Sequence, residues 1–314
     1  LSHTLCRQQS HHGRNADLHR ARGGVGDNRI GPPTRLGRLT MLHRANLPIL
    51  PALERCLADL GDGTPIVQIA PVSGGCIHRV FQLVSEKRAY LLKWNPDPLK
   101  DIFDVEARGL QLLALSEAIR VPQVLAVNPQ PAFILLEWID SADRSTGWDQ
   151  ERLGHQLAAL HRSAAPQAYG LDHNNYIGSS PQINGWRPDW VTFFREQRLQ
   201  PQIRLAGKHG YLTDLHLEKL SQICDRLNRW IDEYAVQPSL LHGDLWAGNI
   251  LCGPAGQPVL IDPAVYYGDR EAELAFTGLF GGFTPRFYQA YNESWPLEPG
   301  YPDRRDLYNL YHLL

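Results

Sequence analysis

One segment carries more chemistry than any other: His242-Gly243-Asp244-Leu245-Trp246-Ala247-Gly248-Asn249-Ile250-Leu251, the turn-forming Gly253-Pro254-Ala255-Gly256, and then Val259-Leu260-Ile261-Asp262. Apolar stretches on either side of a Gly/Pro turn predict a β-hairpin. Such a hairpin brings Asn249, entering one strand, and Asp262, leaving the other, to the same end, with Asp244 on the loop just before. Three oxygen-bearing side chains gathered there suit Mg2+, a hard cation typically held by one or two carboxylates plus substrate phosphates.

The spacing fits phosphoryl transfer. In the catalytic pattern of protein kinases an Asp accepts the proton of the acceptor hydroxyl, an Asn five positions later binds a metal, and a further Asp holds Mg2+. Asp244, Asn249 and Asp262 stand in that order and the first two at that distance. A merely polar turn gives no reason for a His two residues before the Asp or for another Asp beyond the hairpin. This chemistry also requires a lysine on an earlier strand and a glutamate on a helix. Lys93 ends the apolar run Tyr90-Leu91-Leu92, is one of five lysines in an arginine-dominated chain, and as a compact ammonium can approach the α/β-phosphates. Glu106 shares a predicted helical face with Phe103 and Leu110. A phosphate cover is expected at Ser73-Gly74-Gly75-Cys76-Ile77, between the first two strands; it matches neither GxxxxGK[ST] nor GxGxxG, so its position upstream of Lys93 carries the reading.

The elements that must position these residues change in kind along the chain. A short helix is expected over 50–60, two strands within 66–83, a strand at 90–94, a helix over 102–114 and a strand at 132–137, with Trp138-Ile139-Asp140-Ser141 as a linker. Helices then dominate: one marked by Leu153, Leu157 and Leu160, and a longer one from Leu217 to Tyr234 with an i, i+3, i+4 apolar stripe. The fold class is therefore α+β, with a small β-rich N-terminal unit over 41–138 and a larger, mainly helical unit over 139–314.

At 314 residues, and about 150 residues per domain, two such units are expected. Hydrophobic residues at 43%, with 8 Trp, 12 Tyr and 9 Phe, describe a globular chain with a sizeable core. A net charge of −2 excludes a generally basic nucleic-acid or membrane-surface binder, and no apolar run has the length of a membrane helix. Five scattered cysteines without a CxxC pair argue against a disulfide framework or zinc ribbon, so a cytoplasmic setting is expected. The thirteen histidines show no HExxH spacing. Residues 1–40 hold seven Arg and two Asp with no Lys or Glu, and Met41 is the single methionine. They read as disordered upstream or vector-derived sequence, with an Arg-rich transit peptide as the rival.

From about Leu50 onward the chain resembles the fructosamine kinases (ketosamine-3-kinases), in the aminoglycoside-phosphotransferase-like branch of the protein-kinase fold. HGDLWAGN with IDPAVYYGDREAELA is the most specific part, and SGGCI, the Lys93 strand, the EARGL helix, NYIGSSPQINGW and DWVTFFREQRL are also similar. The resemblance implies Asp244 as catalytic base and Asn249 and Asp262 as Mg2+ ligands. It also implies Lys93 with Glu106 at the phosphates of ATP, and Glu137-Trp138 as the hinge that contacts adenine. It further implies phosphorylation of a ketoamine, free or protein-bound, at the 3-hydroxyl, leading to deglycation. The family continues past LYNLYHLL, so the chain looks truncated at Leu314, and residues 1–40 have no family counterpart. For the sugar and its amine, aromatic faces and acidic groups are needed: Trp246 in the loop is the first candidate, joined by Trp186, Trp190, Asp269, Glu271 and Glu273, although the aromatics of the insert would equally serve as core. Oxidation of Cys76 could link two chains. Two alternatives stand: a kinase of the same fold acting on an aminoglycoside, choline-like amine or other amino-sugar, and a nucleotide-binding module without catalysis.

Overall fold

The computed structural model describes residues 47–72, 78–97, 101–140, 147–163, 165–231 and 236–314. The expected phosphate cover, Ser73, Gly74, Gly75 and Cys76, and with it the Cys76 linkage, lies outside the described residues, as does the segment 1–40. By packing, the chain divides into two compact units after Pro96.

The first unit contains helix α1 (Leu50–Asp59) and the strands β1 (Ile66–Pro71), β2 (Arg79–Ser85) and β3 (Ala89–Trp94). The strands form an antiparallel meander, in which Val80 pairs with Lys93. What fixes this register is the buried carboxylate of Asp62, just beyond α1. It accepts hydrogen bonds from the Ser85 hydroxyl at 2.6 Å and from Thr64 and the Tyr90 hydroxyl. Burial raises the pKa of the Asp62 carboxyl, but the donated hydrogen bonds outweigh it and hold the group well below the usual carboxylate range. The end of α1 is thereby tied to the β2–β3 hairpin that carries Lys93.

The second unit begins with α2 (Ile102–Leu115), which packs on β4 (Val124–Pro129), β5 (Ala132–Glu137) and β6 (Asn175–Ile177). The Tyr176 hydroxyl donates to Asp101 at 2.7 Å, at the start of α2. These contacts place α2 within the second unit. Two helices, α3 (Gln150–His161) and, later in the chain, a helix over Pro285–Ser294, approach closely at Gly154. A Cβ at Gly154 would overlap the Phe287 carbonyl oxygen and crowd Ala290.

Strand β6 pairs with β7 (Ser180–Gln182). Then α4 (Trp190–Phe193) widens into a π-turn at Phe194–Leu199 before α5 (Gln200–Lys208), with Gln197, Arg198 and Leu199 all buried. The long helix expected from Leu217 to Tyr234 is broken into α6 (Asp214–Asp225) and α7 (Asn228–Ile231). Arg195 supplies a reason: its Nε donates to the Cys224 carbonyl at 2.9 Å, taking an acceptor that the next helical turn would use. The remaining elements are β8 (Ser239–Leu241), β9 (Ile250–Cys252), β10 (Pro258–Leu260), β11 (Tyr266–Gly268), α8 (Arg270–Thr277), α9 (Pro285–Ser294) and α10 (Tyr301–Leu313). Their core is built on Trp190, Phe193, Phe194, Leu227, Leu241, Tyr266, Tyr308 and Tyr311. Among the described residues no helix is long and apolar enough to cross a membrane.

Gly154→Val should lower the free energy of unfolding by about 1–3 kcal/mol, the usual cost of overpacking, read as the denaturation midpoint. An unchanged midpoint would show that α3 and α9 do not need the close approach.

Candidate active site

The residues singled out for chemistry fall on one loop and one hairpin. Strand β8 delivers the chain into His242-Gly243-Asp244, a 3-10 turn spans Ala247–Asn249, and β9 pairs antiparallel with β10 through Ile250↔Leu260. One step further, the Ile261 amide donates to the Asn249 carbonyl at 3.0 Å. The hairpin therefore places Asn249 and Asp262 at the same end, as the spacing requires.

Within this loop the hydrogen bonds assign each side chain an orientation. Nδ2 of Asn249 donates to the Asp244 carbonyl at 2.9 Å and to Asp244 Oδ2 at 3.1 Å. With its NH2 group committed to Asp244, the amide's remaining polar atom is an oxygen with lone pairs, the type of donor a hard cation takes. Asp262 adds a carboxylate on an exposed residue held at φ 55°, in the left-handed region that Asp tolerates better than most residues. The donor set thus fits Mg2+. His242 is buried, with Nδ1 accepting from the Asp244 amide at 3.3 Å and Nε2–H donating to the Ile261 carbonyl at 2.9 Å. One imidazole therefore joins the loop that carries Asp244 to the strand end that carries Asp262. A second tie is the Ala264 amide, which donates to the His242 carbonyl at 2.8 Å. It requires Gly243, whose φ is 82° and where a Cβ would overlap the Ala264 carbonyl.

The loop is gripped from behind by a residue that the sequence reading grouped with substrate-facing acids. Glu273, buried on α8, accepts from the His242 amide at 3.1 Å, the Gly243 amide at 2.7 Å and His161 Nε2 at 2.9 Å. The other ring nitrogen of His161 faces the Tyr291 hydroxyl at 2.9 Å. Burial alone would raise the Glu273 pKa; the hydrogen bond and charge of His161 and the hydrogen bond from the Gly243 amide lower it on balance.

Three expected substrate contacts are corrected by their surroundings. Asp269 is buried as the cap of α8, accepting from the Glu271 amide at 2.9 Å and from the Tyr308 hydroxyl. Glu271 is fully buried in a two-pronged ion pair with Arg304, at 2.7 and 3.1 Å. Trp190 is a core residue, stacked on Phe193 and Phe194, with its indole NH donating to the Tyr308 hydroxyl at 3.1 Å. Trp186 differs: it is 40% exposed and stacks on Tyr267 of β11. Trp246 is half-buried and meets Phe280 edge-on. At the expected hinge, the Glu137 carboxylate is held by Arg120 and by the Gln123 amide, and Trp138 donates to Asp140 at 3.0 Å. Lys93 in the first unit and Glu106 in the second are both buried charged residues. A charge removed from water requires compensation, so neither position is a casual surface charge.

A family model described as fructosamine kinase matches residues 52–314. A protein assigned as a ketoamine kinase in Lactiplantibacillus plantarum is 41% identical over 256 residues, 80% of this chain and 88% of its own length. The chloroplastic protein-ribulosamine 3-kinase of Oryza sativa subsp. japonica is 36% identical, over 81% of this chain and 74% of its own. Among solved structures, one from Haemophilus somnus 129PT, named for fructosamine-3-kinase, is similar at a TM-score of 0.74 with 31% identity, covering 83% of this chain and 88% of that one. The aminoglycoside phosphotransferase APH(4)-Ia is similar at 0.55 with 16% identity, covering 82% and 87%. That last likeness is one of fold, the protein-kinase-like α+β fold expected from the sequence.

Glu273→Gln should destabilise the protein at neutral pH by about 1–3 kcal/mol, because an amide NH2 would then face main-chain donors that need an acceptor. The depressed carboxyl contributes fully above its unfolded value of about 4.3, and its contribution fades as the pH falls through the lower folded value. Unfolding free energies measured across pH should therefore show the gap between wild type and variant narrowing in acid. A gap constant from pH 7 to 3 would remove Glu273 from this role.

Proposed function

The chain belongs to the fructosamine kinase family, and from that premise we propose that it transfers the γ-phosphoryl group of ATP to the 3-hydroxyl of a ketoamine, either free or attached to a protein amine. The observation that carries this reading is the convergence of Asp244, Asn249 and Asp262 on one loop and one strand end. Asp244 accepts the proton of the sugar hydroxyl as the new bond to phosphorus forms, and the bond from phosphorus to the ADP oxygen breaks. Its partner Asn249 holds it in place through Nδ2. Asn249 and Asp262 are the residues that would hold Mg2+, whose charge would offset the negative charge of the transferred phosphate.

The family resemblance assigns Lys93 and Glu106 to nucleotide binding, and their burial supports roles beyond solubility. The hinge is assigned to the main chain at Glu137 and Trp138, since the Glu137 carboxylate is committed to Arg120. Two aromatic surfaces remain for the acceptor: Trp246, adjoining the base in sequence, and the exposed Trp186 on Tyr267. Phosphate at C3 makes a ketoamine easier to eliminate from its amine, so the consequence of the reaction is deglycation. The name of the rice relative, protein-ribulosamine 3-kinase, supports including protein-bound ketoamines.

A coupled assay of ADP release over ketoamines, aminoglycosides and choline tests the substrate class. Turnover of a fructosyl- or ribulosyl-amine is expected, and turnover of aminoglycosides alone contradicts the proposal. Asp244→Asn should lower kcat about 10²–10⁴-fold with little change in the dissociation constant of ATP, because the base meets the acceptor rather than the nucleotide. Asp262→Ala should abolish Mg2+-dependent turnover; an active variant would remove Asp262 from the site.

A further inference from the structure

The segment that follows Asp262 is held by side chains the chemistry does not use. Asn175 and Gln182, facing each other across the β6–β7 hairpin, are both buried. Asn175 Nδ2 donates to the Val265 carbonyl at 2.8 Å, and Gln182 Nε2 donates to the Ala264 carbonyl at 2.9 Å. Main-chain carbonyls can only accept, so both amides must present their NH2 groups to the chain beyond Asp262. The opposite ends of the amides are occupied too. Asn175 Oδ1 accepts from Gln182 Nε2 at 2.9 Å and from Asn184 Nδ2 at 2.7 Å, while Gln182 Oε1 accepts from the Tyr311 hydroxyl at 2.8 Å.

Behind Asn184 stands Arg198, wholly buried. Its guanidinium donates to Asn184 Oδ1 at 2.7 Å and to the Ile183 and Gln197 carbonyls, and lies 3.9 Å from the centre of the Tyr266 ring. The strand holding Tyr266 is therefore covered by a cation, and the two residues before it are held by amides. On the other side of the same segment the Ala264 amide is bonded to His242. The chain carrying Asp262 is fixed from two directions, one of which is the catalytic loop itself.

Given the Mg2+ site of the reading above, on which this rests, we propose that Asn175 and Gln182 are positioning residues: oriented by Asn184, Arg198 and Tyr311, they fix the main chain after Asp262 and so set the affinity of the site for its divalent cation. Outer partners of metal ligands act in this way elsewhere, and their loss typically costs about 10–100-fold in metal affinity or activity. The conserved volume of Gln182→Leu makes it the direct test, since it removes both donated bonds while keeping the site filled. The Mg2+ concentration for half-maximal turnover should rise about tenfold or more. In a second assay without ketoamine, the extra thermal stabilisation that Mg2+ adds to ADP should shrink by more than half, while stabilisation by ADP alone persists. That second readout reports on the metal site even if the substrate assignment fails. A variant with a lower Tm but the wild-type Mg2+ response in both assays would make the network packing only and overturn the proposal. Tyr311→Phe removes a single hydroxyl and keeps the core filled, so it serves if Gln182→Leu does not fold. It should raise the half-saturating Mg2+ concentration by about two- to fivefold, and an unchanged value counts against the proposal.

Discussion

A carboxylate taken wholly out of water must find donors, and Glu273 finds two of its three in the main chain of the loop that precedes Asp244. This constraint organises the second unit. It fixes where α8 can lie relative to β8, because the Glu273 side chain reaches from one to the start of the loop after the other. It also calls for His161 at the end of α3 as the third donor, so α3 is tied to the same point. Gly243 then turns with a positive φ beside the Ala264 carbonyl, and the two limbs of the site are locked by His242. The chemistry sits on a rigid support whose cost is one buried charge, compensated by charge-assisted hydrogen bonds.

That support separates two tasks. From α3 and α8 comes the hold on the loop that carries Asp244. From β6, β7 and the π-turn comes the hold on the chain that carries Asp262, through neutral amides and one buried guanidinium. Widened turns of this kind interrupt helices and are frequent near functional sites; here one directs Gln197 and Arg198 inward together. The Asn and Gln residues between 174 and 184 act as a set of fixed main-chain contacts.

Much of the framework was legible in the sequence. The β9–β10 hairpin announced itself through apolar runs around a Gly/Pro turn, and the register that follows puts Asn249 and Asp262 together. Strands β1, β2, β3 and β5 and helix α2 likewise form where apolar runs bounded by turn residues and helical periodicity place them. Strand β4 was missed because all but its last position are half-buried, which leaves no alternation to detect. The single long helix was broken by Arg195, whose carbonyl acceptor lies 29 residues away in the chain and leaves no local signal. Acidic residues after Asp262 showed the limit most clearly. Asp269, Glu271 and Glu273 look alike in sequence, yet one caps a helix, one pairs with Arg304 and one grips the loop. Their roles depend on what tertiary packing sets opposite them, which spacing alone does not encode.

The central claim is that the hydroxyl at C3 of a ketoamine is the acceptor presented to Asp244. Proton-coupled phosphorus NMR of the product formed from a fructosyl-amine with Mg2+ and ATP tests it most directly. A phosphate on C3 has a single neighbouring proton, so the account predicts a doublet that correlates with H3. A triplet, marking phosphate on the CH2 at C6, or a correlation with another ring proton, would contradict it.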